Sequence, residues 1–169
     1  MADIRIRPAE PSDLARLTEI YNHYVTNTAI TFDIETRTPE ERRGWYQDHT
    51  TGPGHRLLVA EEGANVVGYA GCGTFRAKRA YETTVETTIY LDQSATGRGL
   101  GARLYAALFD GLADEDVHRA VAGITLPNPA SIALHRRFGF RDVGVFSENG
   151  RKLGRYWDVA WLERDLRKP

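Results

Sequence analysis

Glu86 lies in a stretch, Val85 to Leu91, where Val85, Thr87, Ile89 and Leu91 alternate with Glu86, Thr88 and Tyr90. That period of two is a strand with one small or apolar face. A carboxylate held on such a strand can accept a proton, directly or through water. Partial burial would raise its pKa toward a useful range. The bland alternative is a solvated glutamate on an exposed sheet face. Downstream, Gly97, Gly99 and Gly101 fall at every second position. Closely spaced glycines let backbone N–H groups approach a ligand with no Cβ in the way. Leu100, Leu104 and Leu108 then recur at helical spacing, with Tyr105 and Phe109 alongside. Tyr105 reads as core packing. A helix N-terminus behind the glycines offers unpaired donors and a partial positive charge, which suits a phosphate. The spacing predicts a pyrophosphate site over Gly97, Arg98, Gly99, Leu100, Gly101 and Ala102, with a candidate proton acceptor one strand away.

The glycines alone are compatible with more than one binding pattern. Walker A requires Gly-Lys-Ser/Thr, which the chain lacks. Gly97-x-Gly99-x-x-Ala102 satisfies the loose dinucleotide form G-x-G-x-x-G/A. That form places its first glycine directly after a strand, whereas here Asp92 to Thr96 intervenes. Too little chain follows for two dinucleotide-binding halves. A glycine-rich surface turn without a ligand is a further reading. A second pattern begins at Asn128, where Asn128-Pro129 opens a helix carrying Ser131 and His135 and ending at Phe138-Gly139-Phe140. Taken alone, a helical histidine is more often a surface or packing residue.

These residues need elements to position them. Ile4 and Ile6, alternating with Asp3, Arg5 and Arg7, suggest a first strand. Ser12 or Asp13 can cap a helix whose Leu14, Leu17, Ile20, Tyr21 and Tyr24 share one face. Asn27 to Arg37 is irregular. Thr38-Pro39-Glu40-Glu41 is a capping-box pattern that predicts a helix from there to about His49. Leu57 to Ala60 and Val66 to Phe75 form a hairpin, and Arg76 to Arg79 connects it to the strand of Glu86. Arg119 to Leu126 is another strand. Phe140 to Phe146 and Tyr156 to Leu162 are the last two, with Glu148 to Lys152 expected as their turn. One α+β domain, residues 1–169, accounts for the whole chain.

The bulk numbers exclude several classes. With 41% hydrophobic and 27% charged residues, the 169-residue chain has the composition of a soluble globular domain. A net charge of −1 gives no general pull toward nucleic acid or anionic membrane. One cysteine, Cys72, allows no disulfide within a monomer. No apolar run reaches the roughly 18 residues of a membrane span, and no signal-peptide pattern opens the chain. A cytoplasmic protein is the default. His23, His49, His55 and His118 show no H-x-x-x-H or H-E-x-x-H spacing, so no metal is expected.

Thr96-Gly97-Arg98-Gly99-Leu100-Gly101, between a strand and a long helix, resembles the R/Q-x-x-G-x-G/A loop of the GNAT superfamily of N-acetyltransferases. Thr96 departs from the usual Arg or Gln. Asn128-x-x-Ser131-x-x-x-His135-x-x-Phe138-Gly139-Phe140 resembles that superfamily's later motif, with His135 in place of the usual Tyr. Asn22-His23-Tyr24, Thr31-Phe32, Lys78-Arg79-Ala80-Tyr81, Thr84 to Tyr90, Leu126-Pro127-Asn128, Leu134-His135 and Asp158-Val159 fall in order. Together they resemble the phosphinothricin / methionine sulfoximine N-acetyltransferases over nearly the whole chain. Tyr156 stands where that family commonly has Trp.

The resemblance implies a GNAT acyltransferase fold, a mixed and mostly antiparallel twisted sheet with helices on both faces. It implies acetyl-CoA as co-substrate, no metal, a homodimer with pockets near its interface, and a small glutamate-like amino acid as acceptor. L-phosphinothricin, methionine sulfoximine and methionine sulfone are the acceptors it suggests. Under it Glu86 becomes the base. Backbone groups of Ile89, Tyr90 and Leu91 would pair with pantetheine amides and the oxyanion, and Asn128 would lie near the pantetheine arm. His135 could protonate the departing thiolate or orient substrate. Arg76, Lys78 and Arg79 could anchor an acceptor carboxylate, or be a solvated connection between strands. Phe32, Phe75 and Tyr81 could wall its methylenes, or be simple core. A different amine acceptor, or a non-catalytic acetyl-CoA sensor, fits the same residues.

Overall fold

Alternating strands with one apolar face need a layer of helices on each side to which such a face turns. The computed structural model describes residues 4–167; Asp3, expected in the first strand, and the remaining ends of the 1–169 span lie outside the described residues. The strands are β1 (Ile4–Pro8), β2 (Arg56–Glu62), β3 (Asn65–Thr74), β4 (Thr84–Leu91), β5 (Arg119–Thr125), β6 (Arg141–Lys152) and β7 (Arg155–Asp165). They form a 7-stranded sheet in the order β1-β2-β3-β4-β5-β7-β6. Every neighbouring pair is antiparallel except β4 and β5, which run parallel. The helices are α1 (Leu14–Asn27), α2 (Arg43–Thr50), α3 (Leu100–Gly111) and α4 (Pro129–Arg137).

The two sheet faces carry separate cores. Leu17, Ile20 and Tyr24 of α1 pack with Leu57, Val59, Val66 and Tyr69, and Trp45 of α2 joins them. On the other face Leu104, Tyr105 and Leu108 of α3 pack with Cys72, Val85, Ala120, Ala122 and Leu162. The period of two on β4 sorts its residues between these layers. Val85 and Ile89 turn to the α3 side, whereas Tyr90 packs among the aromatics of the α1 side.

Local signals explain most of the boundaries. The Asn128 side chain accepts from the Ser131 N–H at 3.1 Å, and Pro129 follows it as the first residue of α4. Such a cap is worth about 1 kcal/mol. Gly139, at φ +80°, ends the helix. The capping box of Thr38 and Glu41 forms, with N–H donors at 2.7 and 3.2 Å. Even so, residues 39–42 make turns and regular helix starts only at Arg43.

The expected turn over Glu148 to Lys152 is not one. Those residues belong to β6, where the register shifts between Phe146 and Gly150 and Glu148 has φ 52°. The polar, glycine-containing run marks a bulge rather than a reversal. The chain reverses at Leu153-Gly154, where both φ angles are positive, at 52° and 77°. A two-residue hairpin turn that follows the strand twist requires that pair of signs.

Candidate active site

β4 and β5 pair only at Thr84↔Arg119, Val85↔Ala120 and Glu86↔Val121. Past that point each strand stays paired on its outer side alone, β4 with β3 as far as Leu91 and β5 with β7 as far as Thr125. The Thr87 hydroxyl donates to the Val121 carbonyl at 3.2 Å, beside the last rung. Beyond it the strands diverge around a narrow cavity of about 60 Å³ lined by Thr87 to Tyr90, Ala122 to Thr125, Asn128, Ser131, His135 and Tyr105. Backbone groups of β4 face this opening without a ladder partner. Extended amide chains are recognised at such edges.

Glu86 lines a larger cavity of about 370 Å³ on the α1–α2 side of the sheet. The two cavities share Thr87, Thr88, Tyr90 and Gly123, so they meet at the split. Burial pushes the Glu86 carboxyl above the ordinary glutamate range, and the Arg76 guanidinium pulls it partly back. Directly opposite Glu86 on β3 is Gly73. A Cβ there would lie 2.5 Å from Asp48 Oδ2 and 3.0 Å from the His49 ring. Glycine at this position lets α2 bring His49 down beside Glu86. His49 is buried, which lowers its pKa, and its Nδ1–H is held by the Trp45 carbonyl at 2.9 Å. Tyr21, Asp33, Arg37, Glu41, Arg42 and Trp45 complete that wall.

At the far side of the split His135 is 3% exposed. Its Nδ1 lies 2.8 Å from the Ser131 carbonyl, which can only accept, so the proton sits on Nδ1. Burial lowers its pKa, opposed by that hydrogen bond. The neutral ring therefore presents Nε2 as an acceptor, and the Tyr105 hydroxyl donates to it at 2.8 Å. Tyr105 OH also lies 3.4 Å from the Thr87 hydroxyl. His135 thus has no free N–H; the hydroxyl between it and β4 belongs to Tyr105. That tyrosine is core, as its helical position suggests, and also part of the site wall.

The glycine loop fits a pyrophosphate. Gly97 and Gly99 have φ of 72° and 76°, and a Cβ on either would point into open space. The first turn of α3 leaves backbone N–H groups without helical acceptors, and Gly99 supplies no side-chain cap. The Leu100 side chain is 2% exposed and belongs to the core, and the Arg98 side chain pairs with Glu62 at 3.1 Å. What residues 97–102 offer a ligand is main chain. Thr96, the departure from the usual loop, donates its hydroxyl to the Gln93 carbonyl at 3.0 Å and closes the turn before the glycines.

Several residues expected at the acceptor pocket lie outside the cavity of Glu86. The Phe32 ring instead covers Gly150, where a Cβ would come within 2.2 Å of it. Phe75, Arg76 and Tyr81 border a groove against Trp161 and the exposed Val143, Val145 and Phe146 of β6. Lys78 and Arg79 are exposed on the loop beyond, beside a depression they share with Arg76 and Tyr81. A loop between strands carries no periodicity, so its direction was not legible in the sequence. Conversely Arg42, Trp45 and His49 enter the cavity from the segment whose capping-box pattern predicts a helix. Only the apolar step from Trp45 to His49 along one helix face hints at burial.

A parallel strand pair that opens beside a glycine-led helix, with a second helix capped by Asn128 across the gap, defines a CoA-dependent acyltransferase. The model of the acetyltransferase (GNAT) domain family matches residues 6–161, and the chain belongs to that family. It is 56% identical over 167 residues to a phosphinothricin N-acetyltransferase of Streptomyces coelicolor, covering 98% of each chain. It is 37% identical over 161 residues to an L-methionine sulfoximine/L-methionine sulfone acetyltransferase of Salmonella typhimurium, covering 95% of this chain and 94% of that one. A solved phosphinothricin acetyltransferase from Sinorhizobium meliloti, in complex with acetyl-CoA, superposes with a TM-score of 0.91 at 34% identity. The match covers 98% of this chain and 92% of that one.

The environment of Glu86 predicts a stability effect with a defined sign. Its folded pKa is raised, so its favourable contribution is complete below the unfolded value and is lost as pH rises through the folded one. Glu86→Gln is expected to unfold at a higher urea midpoint than the parent at pH 7, with the gap closing near pH 4. A variant that is less stable at pH 7 contradicts the burial argument.

Proposed function

We propose that the protein is an acetyl-CoA-dependent N-acetyltransferase that acetylates the α-amino group of a small glutamate-like amino acid, phosphinothricin and methionine sulfoximine being the model acceptors. The observation that carries this reading is the meeting of two cavities at the β4–β5 split, with Glu86 on one side and the Tyr105–His135 pair on the other. Acetyl-CoA supplies the activated thioester. Main-chain N–H groups of Gly97 to Ala102 hold the pyrophosphate, with the positive end of α3 behind them. The open edge of β4 at Ile89 to Leu91 pairs with the pantetheine amides, and Asn128 keeps α4 in place across the gap.

Glu86, its pKa raised by burial, accepts a proton from the acceptor's ammonium, which frees the amine to attack. The amine attacks the thioester carbonyl, the C–S bond breaks and CoA leaves as its thiolate; the Tyr105 hydroxyl, whose proton is held by His135 Nε2, is the hydroxyl nearest the split. Cys72 is no acyl carrier: burial pushes its thiol up to about 12, and it donates to the Gly54 carbonyl. Direct transfer from thioester to amine is the simpler course. N-acetylation removes the acceptor's positive charge, which would confer resistance to a toxic analogue. Among the described residues no helix is long and apolar enough to cross a membrane, in keeping with action in the cytoplasm.

A homodimer accounts for the remaining expected residues. Val143, Val145 and Phe146 are exposed on β6, an edge strand, beside the groove of Phe75 and Tyr81. Exposed apolar side chains on a strand edge mark a surface that pairs.

Thiol release from acetyl-CoA over a panel of amino-acid analogues should rise most with phosphinothricin and methionine sulfoximine. Glu86→Gln should lower kcat about a hundredfold or more while leaving acetyl-CoA affinity intact; unchanged turnover across pH removes Glu86 as base. Gly99→Val puts a β-branched residue in the left-handed region, at about 1–2 kcal/mol. Acetyl-CoA should then bind about tenfold more weakly by calorimetry, and equal affinity argues against the cradle. Sedimentation equilibrium should return twice the chain mass, and a single-chain mass sinks the dimer.

A further inference from the structure

We propose that Arg42 determines acceptor specificity by binding the side-chain oxyanion of the amino-acid substrate. The proposal rests on the reading of the Glu86 cavity as the acceptor pocket. Arg42 is 5% exposed and lines that cavity. Its guanidinium lies 3.9 Å from the ring centre of Trp45, 4.3 Å from that of Tyr21 and 6.0 Å from that of Tyr69. Nη1 donates to the Leu17 carbonyl at 3.1 Å. Among the described residues no carboxylate lies within ion-pair distance of it. Aromatic faces attract a cation, but they do not replace the anion that a desolvated guanidinium lacks.

The other charges of the cavity are committed. Asp33 accepts from the Tyr21 hydroxyl at 2.9 Å and faces Arg37 at 3.5 Å. Glu41 accepts from the Thr38 N–H and hydroxyl at 2.7 and 3.1 Å. His49 is held neutral by burial. Among the described residues Arg42 remains without a carboxylate partner, and Glu86, whose charge the Arg76 guanidinium only partly offsets, lines the same chamber. Phosphinothricin carries the matching pair, an ammonium at one end and a phosphinate oxyanion at the other, whereas methionine sulfoximine presents a neutral S=O oxygen in that place.

The two groups sit at different levels along β3. On β3, Glu86 stands opposite Gly73 and Arg42 lies over Tyr69, which is opposite Tyr90. Four residues of strand separate these positions, about 13 Å at roughly 3.3 Å per residue. Both side chains line the cavity that lies along that span. An α-carboxylate sits next to its own amine and stays near Glu86. A tail of glutamate length extends toward Arg42.

The test compares two acceptors of similar length, phosphinothricin with its anionic tail and norvaline with a methyl tail, on the unmodified enzyme, Arg42→Met and Arg42→Lys. The expected result is a rise of about ten- to a hundredfold in the ratio of KM for phosphinothricin to KM for norvaline in Arg42→Met. Arg42→Lys, which keeps the charge, should recover part of it. Equal losses on both acceptors in both variants mean that Arg42 only packs the Tyr21–Trp45 wall, and the proposal fails. An unchanged ratio also overturns it. If the loss instead follows removal of the α-carboxylate, tested with the acceptor's amide, Arg42 binds the wrong end for this proposal. Unmodified enzyme that acetylates neither acceptor refutes the acceptor reading itself.

Discussion

The structure depends on the early end of the β4–β5 ladder. Parallel pairing stops after Glu86↔Val121 although both strands continue. A buried backbone group without a partner costs about 1–3 kcal/mol, so an open ladder is tolerated only where something offsets it. Part of the compensation is structural: β3 and β7 hold the outer edges, and the Thr87 hydroxyl satisfies Val121. The Tyr105 and His135 side chains support the gap from the α3 side. The remaining groups face a cavity, and an extended molecule rich in amides would complete them. The same divergence joins the chamber of Glu86 to the α4 side of the sheet. Without it, Glu86 would look onto a closed sheet and the helix capped by Asn128 would have no reaction to flank.

Two small residues make the chemistry possible around that gap. Gly73 admits Asp48 and His49 to van der Waals distance of β3, which closes one end of the chamber over Glu86. Gly99 adopts a left-handed backbone that turns the chain into α3 while leaving its first N–H groups without a side-chain cap. Burial then sets the protonation states. It raises the Glu86 carboxyl and lowers both His49 and His135, so the imidazoles are neutral where the carboxyl is a better base than in water. One physical cause, the loss of water, moves the pKa of an acid up and those of two bases down.

By itself the sequence determined most of what depends on short-range pattern. The alternation around Glu86, the Gly97–Gly99–Gly101 run, the Asn128-Pro129 start and the Gly139 stop each carry a local physical meaning, and the elements follow them. The family motifs add the order in which these pieces occur. The polar run at Glu148 misled because a bulge and a turn use the same residue types; only the partner strand distinguishes them. Likewise the Thr38 capping box forms, yet regular helix waits until Arg43. Tertiary structure alone decided which side chains share a chamber. It turned the Arg76 to Arg79 loop outward, buried Arg42 between Tyr21 and Trp45, and set Tyr105 between His135 and Thr87. Those outcomes depend on how helices cross a sheet and where one ladder ends. Contacts between residues far apart in the chain are not encoded in any single stretch of it.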